Sequence, residues 1–332
     1  MTSWSGRKVL VTGAGGFIGS HLTEELVRRG AEVRALARYN SRSDAGLLAL
    51  APREVREAID LRFGDVTDPW SVAQAVRGVD TVFHLAALIA IPYSYAAPAS
   101  YVATNVSGTL NVLEAVRAHG VARLVHTSTS ETYGTALYTP IDEKHPMQGQ
   151  SPYSASKIGA DHLAESYFRS FDLPVAIIRP FNTYGPRQSA RAVIPTIAAQ
   201  VLAGREEVAL GSLDPVRDLN YVADTVEGFL AVASSDACLG VVTNVGSGRG
   251  ITIGDLARRI LELAGRPRVR LRSDSQRLRP EKSEVFELVC DARKASERCG
   301  WKPRWSLDDG LKETLAFVRE HLHLYRPEAY TV

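Results

Sequence analysis

A tyrosine and a lysine four residues apart, Tyr153 and Lys157, are the clearest candidates for proton transfer in this sequence. Pro152 suits the first turn of a helix, and the i, i+4 spacing puts both side chains on one face of that helix. A nearby ammonium favours tyrosinate over tyrosine and so lowers the tyrosine pKa from its ordinary value of about 10. The pair is therefore predicted to take a proton from an alcohol hydroxyl while the same carbon gives up a hydride.

A second cluster of reactive side chains follows a strand-like run at 124–126. Thr129, Ser130 and Glu131 bring two hydroxyls and a carboxylate to the end of this strand. In an open α/β sheet, the carboxyl ends of the strands face the ligand crevice. We expect Thr129 to bind the hydroxyl that is oxidised, beside Tyr153, and Ser130 and Glu131 to reach the neighbouring carbons. The alternative is a capped loop with a solvated glutamate.

A glycine-rich turn near the start of the chain predicts a dinucleotide site. Gly13, Gly16 and Gly19 follow a strand-like run and lead into a helical stretch that contains Phe17 and Ile18. Gly13 allows the turn, Gly16 lets the backbone approach a pyrophosphate, and Gly19 lets helix and strand pack closely. The first amides of the helix and the positive end of its dipole then face the phosphates.

Further cofactor contacts are expected where the third and fourth strands end. Asp65 follows the third strand, where its carboxylate either accepts a bond from the adenine amino group or caps the loop, and Val66 adjoins it. After the fourth strand come Leu85, Ala86 and Ala87, two of which are small enough to let a cofactor lie against the backbone.

The second strand lacks the acid that usually binds the ribose 2′-hydroxyl of NAD. The segment 35–40 reads Ala-Leu-Ala-Arg-Tyr-Asn. Arg38 suits the 2′-phosphate of NADP, but it also suits stacking on adenine or a solvent-exposed position. The residues themselves therefore leave NAD and NADP open.

The elements that position these residues alternate between strand and helix over the first 180 residues, which predicts a doubly wound parallel Rossmann sheet of the α/β class. Strands are predicted at 9–11, 33–36, 61–63, 81–85, 124–126 and 176–178, and helices at 18–29, 71–76, 105–119 and 154–171. We predict a dinucleotide-binding domain at 1–180 and a smaller, interleaved substrate-binding lobe at 181–332. A late strand near 241–245 is expected to return to the main sheet.

Composition excludes several classes of protein. The 332 residues are 45% hydrophobic and carry a net charge of only +2, so no global field would hold the chain on nucleic acid or a membrane surface. The three cysteines lack metal-ligand spacing, which predicts no metal site. No apolar run approaches the roughly 18 residues of a membrane span, and no signal-peptide pattern is visible. We expect a cytoplasmic protein.

Four motifs together resemble the extended short-chain dehydrogenase/reductases of the NAD-dependent epimerase/dehydratase family. They are the segment Gly13–Gly19, the triplet Thr129-Ser130-Glu131, the Tyr153/Lys157 pair and the segment Arg179–Pro186. The resemblance runs from about residue 7 to about residue 318. It implies a nucleotide-sugar substrate, NAD ahead of NADP as the cofactor, and a homodimer formed through the helices near 105–119 and 154–171.

A narrower set of stretches is similar to the nucleotide-sugar 4,6-dehydratases of the legionaminic-acid pathway. These stretches are 87–95, 148–153, 186–192 and 277–284. By that likeness the substrate is bound by Tyr93, Asn182, Arg187, Arg191, Arg217 and Arg279. The diphosphate would be held by Asn182, Arg217 and Arg279, which is chemically sensible because guanidinium forks match phosphate oxygens.

The narrower resemblance implies a 4,6-dehydratase acting on a UDP- or GDP-linked N-acetylglucosamine or a related hexose. Oxidation at C4 acidifies the C5 hydrogen, Glu131 removes it, the C6 hydroxyl leaves as water with Ser130 or a water chain donating the proton, and hydride returns to C6. A 4-epimerase and a decarboxylase of nucleotide-linked glucuronic acid remain alternatives. The epimerase would have no task for this carboxylate, whereas the decarboxylases share the Thr-Ser-Glu triplet. A non-enzymatic dinucleotide sensor is disfavoured, because such proteins typically lack the tyrosine or the lysine.

Overall fold

The structure, a computed structural model, describes residues 3–278 and 280–328. Its strands are β1 (Lys8–Thr12), β2 (Glu32–Arg38), β3 (Asp60–Gly64), β4 (Thr81–His84), β5 (Arg123–Thr127), β6 (Val175–Pro180), β7 (Asn182–Tyr184), β8 (Glu207–Leu210), β9 (Val216–Tyr221), β10 (Val242–Val245), β11 (Gly250–Thr252), β12 (Arg270–Ser273) and β13 (Glu287–Leu288). Its α-helices are α1 (Phe17–Arg28), α2 (Arg53–Ala58), α3 (Pro69–Val76), α4 (Ile91–Ala96), α5 (Pro98–Tyr101), α6 (Gly108–His119), α7 (Pro152–Phe171), α8 (Val193–Leu202), α9 (Val222–Ser234), α10 (Ile253–Leu263), α11 (Arg293–Cys299) and α12 (Leu307–Glu320).

Seven strands form one sheet in the order β10-β6-β5-β4-β1-β2-β3, and every neighbouring pair is parallel. The predicted α/β Rossmann fold is therefore confirmed, as are its first six strands. The late strand is also present, because β10 pairs with β6 at the edge of the sheet. Since all strands run the same way, their carboxyl ends meet at one edge.

Alternating residues along each strand supply two separate hydrophobic layers, because successive side chains of a strand point to opposite faces. In β1, Val9 and Val11 join the layer covered by α1 and α9, whereas Leu10 joins the layer covered by α3, α6 and α7. These apolar runs are buried on both faces of the sheet. The sheet therefore forms a rigid base for whatever lies at its carboxyl edge.

The chain after residue 180 builds a smaller lobe around β9. This strand pairs with β7 and β13 in parallel and with β11 in antiparallel, while β8 pairs with β12. The hydrophobic cluster that contains Val9 of the main sheet continues to Leu311 of α12. The lobe thus shares a core with the Rossmann sheet, and the domain boundary at 180/181 stays a prediction.

One predicted helix differs from the observed one. The pattern at 105–119 predicts a single helix, but the chain makes a π-helical turn at Val102–Ser107 before α6 begins at Gly108. A π turn carries one extra residue and rotates the side chains that follow it, and such turns often occur at functional sites. Among the described helices, none has both the length and the apolar composition that a membrane crossing needs.

The turn after β1 generates a prediction about folding. Gly13 and Gly78 both have positive φ, +70° and +74°, so alanine strains the backbone at either position. A Cβ on Gly13 would also lie 2.8 Å from the Ala86 amide nitrogen, whereas a Cβ on Gly78 would meet nothing within 4 Å. We expect Gly78→Ala to lower the free energy of unfolding by about 1–2 kcal/mol, and Gly13→Ala to lower it clearly further.

Urea titrations of the two variants measure this difference, with Gly78→Ala as the control for backbone strain. Equal losses of unfolding free energy would show that the close packing of the glycine turn against the end of β4 does not matter for stability.

Candidate active site

A cleft of about 740 Å³ opens at the carboxyl edge of the sheet. It is lined by the glycine turn after β1, by the ends of β2 to β6, by the inner face of α7 and by the segment at 182–192. All the predicted catalytic and cofactor-binding residues lie along it: Gly13, Gly16, Phe17, Ile18, Gly19, Arg38, Asp65, Val66, Leu85, Ala86, Ala87, Thr129, Ser130, Glu131, Tyr153 and Lys157. Their roles stay predictions.

The glycine turn packs as tightly as the sequence suggests. A Cβ on Gly19 would lie 2.2 Å from the Gly13 carbonyl oxygen, and Gly16 donates its amide to the same oxygen at 2.9 Å. Helix α1 therefore starts directly against the end of β1. Its first amides have no partner within the helix and are available to an anion in the cleft.

A buried chain of hydrogen bonds supports the wall of the cleft that is formed by residues 85–86, after β4. The Thr12 hydroxyl accepts the Leu85 and Ala86 amides, each at 3.2 Å, and lies 2.8 Å from His84 Nδ1. The other ring nitrogen of His84 lies 3.0 Å from the Thr109 hydroxyl, which donates to the Asn105 carbonyl oxygen just before α6. Because both ring nitrogens have partners, His84 is a satisfied core histidine that fixes the wall at 85–86.

Helix α7 presents the tyrosine and the lysine because of how it begins. Ser151 and Ser154 form a reciprocal capping box, and Pro152 occupies the first turn, as expected from the sequence. Tyr153 and Lys157 then lie on the buried face, one turn apart. Lys157 Nζ donates to the Thr127 carbonyl oxygen at 2.6 Å, which ties α7 to the end of β5.

The pKa of Tyr153 differs from the expectation. Burial raises it well above its ordinary value, a hydrogen bond with the Thr129 hydroxyl opposes this rise, and the Glu131 carboxylate adds to it. Burial also lowers the pKa of Lys157 to about 8. The expected lowering of the tyrosine pKa is therefore wrong, because burial is the largest contribution and raises this pKa.

The triplet after β5 forms a short 3₁₀ turn. Thr129 is the N-cap, and its hydroxyl accepts the Glu131 amide at 3.3 Å. Ser130 is buried, while Glu131 is half-buried beside Tyr153. The turn thus brings a hydroxyl and a carboxylate to the same side of the cleft as the phenol, which is the arrangement needed for two successive proton transfers.

The predicted substrate-binding residues are distributed differently. Asn182 and Arg191 line the cleft. Tyr93 is exposed near its mouth, with its ring centroid 6.2 Å from that of Tyr101, which in turn lies 6.3 Å from the Tyr153 ring. The binding roles of Asn182, Arg191 and Tyr93 stay predictions.

The remaining arginines are engaged elsewhere or are not described. Buried Arg187 pairs with Glu24 of α1 at 2.8 Å, and buried Arg217 pairs with Glu284 at 3.2 Å. Neither lies in the cleft lining. Arg279 lies outside the described residues. Contact of Arg187 or Arg217 with a bound diphosphate would require a change in these ion pairs.

Sequence reasoning missed one residue that joins the two halves of the site. Asn105, in the π-helical turn, accepts the Leu88 amide at 2.8 Å and donates to the Leu88 carbonyl and the Ser156 hydroxyl, both at 2.9 Å. It therefore ties the loop after β4 to α7, between Tyr153 and Lys157. A helical pattern at 105–119 gave no signal for this, since only the π turn directs the amide inward.

Metal-site geometry is not found in the described ranges, where no three His, Cys, Asp or Glu side chains converge as a ligand set. The charged groups of the cleft lining are instead Glu131, Lys157, Arg191, Asp44 and, at its far end, Arg38 with Asp65. Arg38 Nε lies 3.7 Å from Asp65 Oδ2.

The segment that carries Arg191 is fastened to α1. His21 Nε2 lies 2.9 Å from the Pro186 carbonyl oxygen, next to the Arg187–Glu24 ion pair. Arg187 has a left-handed φ of +67°, which is uncommon for a residue with a side chain. Burial, followed by the charge of Arg187, lowers the pKa of His21 to about 4.

Comparisons with known proteins agree with this geometry. Residues 10–314 match the family described as GDP-mannose 4,6 dehydratase. A dTDP-glucose 4,6-dehydratase of an Actinoplanes species is 32% identical over 94% of this chain and 98% of its own length. The crystal structure of a dTDP-glucose 4,6-dehydratase from Streptomyces venezuelae with NAD bound is 31% identical, with a TM-score of 0.85 over 96% of this chain and 99% of that one.

A second kind of enzyme is similar too. The structure of a UDP-glucuronic acid 4-epimerase variant from Bacillus cereus, in complex with NAD and UDP-4-deoxy-4-fluoro-glucuronic acid, is 26% identical. Its TM-score is 0.85, over 94% of this chain and 99% of that one.

The buried His21 predicts a pH dependence of stability. Its pKa is about 4 in the folded protein and 6.5 when unhindered, so the unfolded state binds the extra proton between these values. The contribution of neutral His21 to the unfolding free energy is fully present above pH 6.5 and is lost as the pH drops towards 4. Between pH 7.5 and pH 5 we expect the unfolding free energy to fall by about 2 kcal/mol more in the native protein than in His21→Gln.

Denaturant titrations at the two pH values give this difference, and His21→Gln removes the titrating group while keeping a donor for Pro186. If both proteins lose the same free energy, His21 is not held neutral against the 186–187 segment.

Proposed function

This chain belongs to the GDP-mannose 4,6-dehydratase family, within the NAD-dependent epimerase/dehydratases, and we propose that it is a nucleotide-sugar 4,6-dehydratase. The family resemblance expected from the sequence is confirmed, and so is an enzymatic activity of the nucleotide-sugar 4,6-dehydratase or 4-epimerase type. The similarity to the legionaminic-acid branch stays a prediction. The observation that carries the choice of a dehydratase is Glu131 beside Tyr153 in the cleft.

NAD is the cofactor, as the similar dehydratase and epimerase structures support. The residues of this chain fit it, because Gly13, Gly16 and Gly19 line the cleft without a side chain between the amides of the turn and the space above them. The segment 85–87 would hold the flat side of the cofactor, and Asp65 its adenosine end. When bound, NAD supplies a hydride acceptor that later returns the hydride.

Tyr153 and Lys157 handle the proton of the first step. The buried phenol holds its own proton at neutral pH, so it needs additional positive charge in the cleft before it can accept the proton of the C4 hydroxyl. The positive charge that the chain itself provides is the Lys157 ammonium, which is fixed on the Thr127 carbonyl oxygen. Thr129, whose hydroxyl bonds the phenol, orients the C4 hydroxyl towards Tyr153.

Glu131 performs the step that an epimerase does not need. Once C4 is a ketone, the C5 hydrogen is acidic and a carboxylate can remove it. The electrons then expel the C6 hydroxyl, which leaves as water when a proton reaches it from the Ser130 side or from water. This elimination leaves a C5–C6 double bond, and return of the hydride to C6 with a proton to C5 then gives the 4-keto-6-deoxy sugar.

The substrate is a nucleotide-linked hexose, and the favoured candidates are UDP- or GDP-linked N-acetylglucosamine. Asn182 and Arg191 lie at the cleft and would bind the diphosphate and sugar with Tyr93. Arg187, Arg217 and Arg279 would complete the diphosphate site. A homodimer through α6 and α7 is part of the same proposal. A 4-epimerase is the second candidate. Epimerases share the fold, and the oxidation at C4 that they need requires the tyrosine-lysine pair but no carboxylate base.

The experiment that tests the proposed function follows the fate of C5 and C6. In deuterium oxide, with UDP- and GDP-linked N-acetylglucosamine as substrates, the product should lose one water in its mass and carry deuterium at C5 by NMR. Glu131→Gln keeps the shape of the side chain but removes the base, so it should abolish both changes. Tyr153→Phe is the companion variant, which should lose turnover by orders of magnitude through the earlier step.

Two outcomes contradict the role of Glu131. A C4-inverted sugar with no loss of water would identify an epimerase. Release of carbon dioxide from a glucuronate nucleotide would identify a decarboxylase.

The outer end of the cleft gives a prediction on cofactor preference. The Arg38 side chain is 78% exposed, and an exposed charge contributes about 1 kcal/mol or less. Arg38→Ala should therefore weaken NAD binding by about fivefold at most. Arg42→Ala, an arginine 85% exposed and outside the cleft lining, is the matched control. Calorimetric titration with NAD and NADP measures both, and a much larger loss for NADP than for NAD would reveal pairing with a 2′-phosphate.

A further inference from the structure

The inner face of α7 continues beyond the tyrosine and the lysine. Tyr153, Lys157 and Asp161 follow one another at intervals of four residues, and Asp161 is completely buried. A buried carboxylate is costly unless it is paired and hydrogen-bonded. The Asp161 carboxylate, behind the proton-transfer pair, therefore needs side chains that pair with it.

Three side chains from neighbouring strands satisfy this carboxylate. His126 Nε2 lies 3.1 Å from Oδ1, while Oδ2 accepts the Ser128 hydroxyl and Arg179 Nη2, the latter at 2.7 Å. His126 belongs to β5, Ser128 follows directly after this strand, and Arg179 belongs to β6. Asp161 thus binds α7 to two strands at the point where β5 enters the cleft.

Arg179 extends this contact to the far side of the Thr129-Ser130-Glu131 triplet. Its Nε donates to the Ser128 hydroxyl at 3.1 Å, immediately before the triplet. Its guanidinium lies 4.5 Å from the centroid of the ring of Tyr133, the last residue of the turn. Tyr133 is itself buried and donates its hydroxyl to Asn244 Oδ1 at 2.8 Å. One buried ion pair therefore holds both flanks of the triplet.

We infer that Asp161 is a positioning residue of the active site: with Arg179 it clamps the turn that presents Thr129 and Glu131, and its charge balances the ammonium of Lys157. This inference rests on the proposed functions of Thr129, Glu131 and Lys157. Asp161 itself lies behind the cleft lining and touches none of the reacting atoms.

The electrostatic surroundings give the sign of the effect. The groups that face Asp161 or the groups it acts on are Tyr153 and Lys157 of α7, His126 of β5, His84 of β4, Arg179 of β6, and Glu131 and Tyr133 of the turn. Burial tends to raise the pKa of Asp161, but the bond from His126 and the charges of Arg179 and Lys157 hold it well below its ordinary value. Burial lowers the pKa of Lys157 to about 8, and Asp161 opposes that fall.

Removing the negative charge should therefore let the Lys157 pKa fall further. An ammonium contributes below its pKa and is lost as the pH rises through it, so a lower pKa moves this loss to lower pH. A purely structural carboxylate would affect stability without this shift.

The test titrates Lys157 directly. With lysine labelled at Cε, the carbon NMR signal absent from Lys157→Met identifies Lys157 among the seven lysines. In Asp161→Asn the Lys157 pKa should fall by about one unit or more below its native value, kcat should fall while KM changes little, and the alkaline limb of kcat should move to lower pH. His126→Gln is the matched control, because it alters one hydrogen bond to Asp161 and keeps the negative charge of the Asp161 carboxylate. The Lys157 pKa in this variant should equal that of the native protein.

An unchanged Lys157 pKa in folded Asp161→Asn overturns the inference. If that variant does not fold, Asp161→Asn combined with Arg179→Met removes both charges of the pair, which buried pairs often tolerate, and its Lys157 pKa should be lower than that of Arg179→Met alone. Equal Lys157 pKa values in these two variants would also contradict the role. The NMR titration does not depend on which product the enzyme makes, so a failure of the proposed function remains separable from a failure of this inference.

Discussion

The parallel direction of the seven strands is the constraint on which the rest of the structure depends. It brings the ends of β1 to β6 to one edge, so that residues from distant parts of the chain line a single cleft. Because the sheet is buried on both faces, this edge is rigid. The glycine turn after β1 and the triplet after β5 are therefore held at a fixed separation, which a site that must align a cofactor with a sugar requires.

Burial governs the chemistry within that frame. It raises the pKa of Tyr153 and lowers that of Lys157, so each group is biased towards its neutral form. For Tyr153 the opposing contribution is the hydrogen bond with Thr129, whereas for Lys157 it comes from behind the cleft, where Asp161 is held ionised by His126 and Arg179. The polar groups that tune the site are thus buried in the sheet–helix interface, where loss of hydration makes each charge count more than it would in water.

The smaller lobe reaches the cleft through contacts with the Rossmann sheet. Helix α1 holds the 186–187 segment through His21 and Glu24, and Ser283 donates to the Gln150 carbonyl at 2.7 Å just before α7. Helix α1 and the start of α7, which line the cleft at the glycine turn and at the tyrosine, therefore also anchor segments of the smaller lobe. The two ends of the cleft are therefore held in place by the same two helices.

Local patterns determined much of this protein. Glycine spacing, the Pro152 helix start and alternating apolar runs are short-range features, so the sequence alone predicted the Rossmann sheet, its first six strands and the cleft residues from Gly13 to Lys157. Only the tertiary structure decided the π turn that directs Asn105 inward, the ion pairs that engage Arg187 and Arg217, and the carboxylate of Asp161 behind Lys157. These depend on partners far apart in the chain, and the direction of the tyrosine pKa depends on burial, which a sequence motif does not encode.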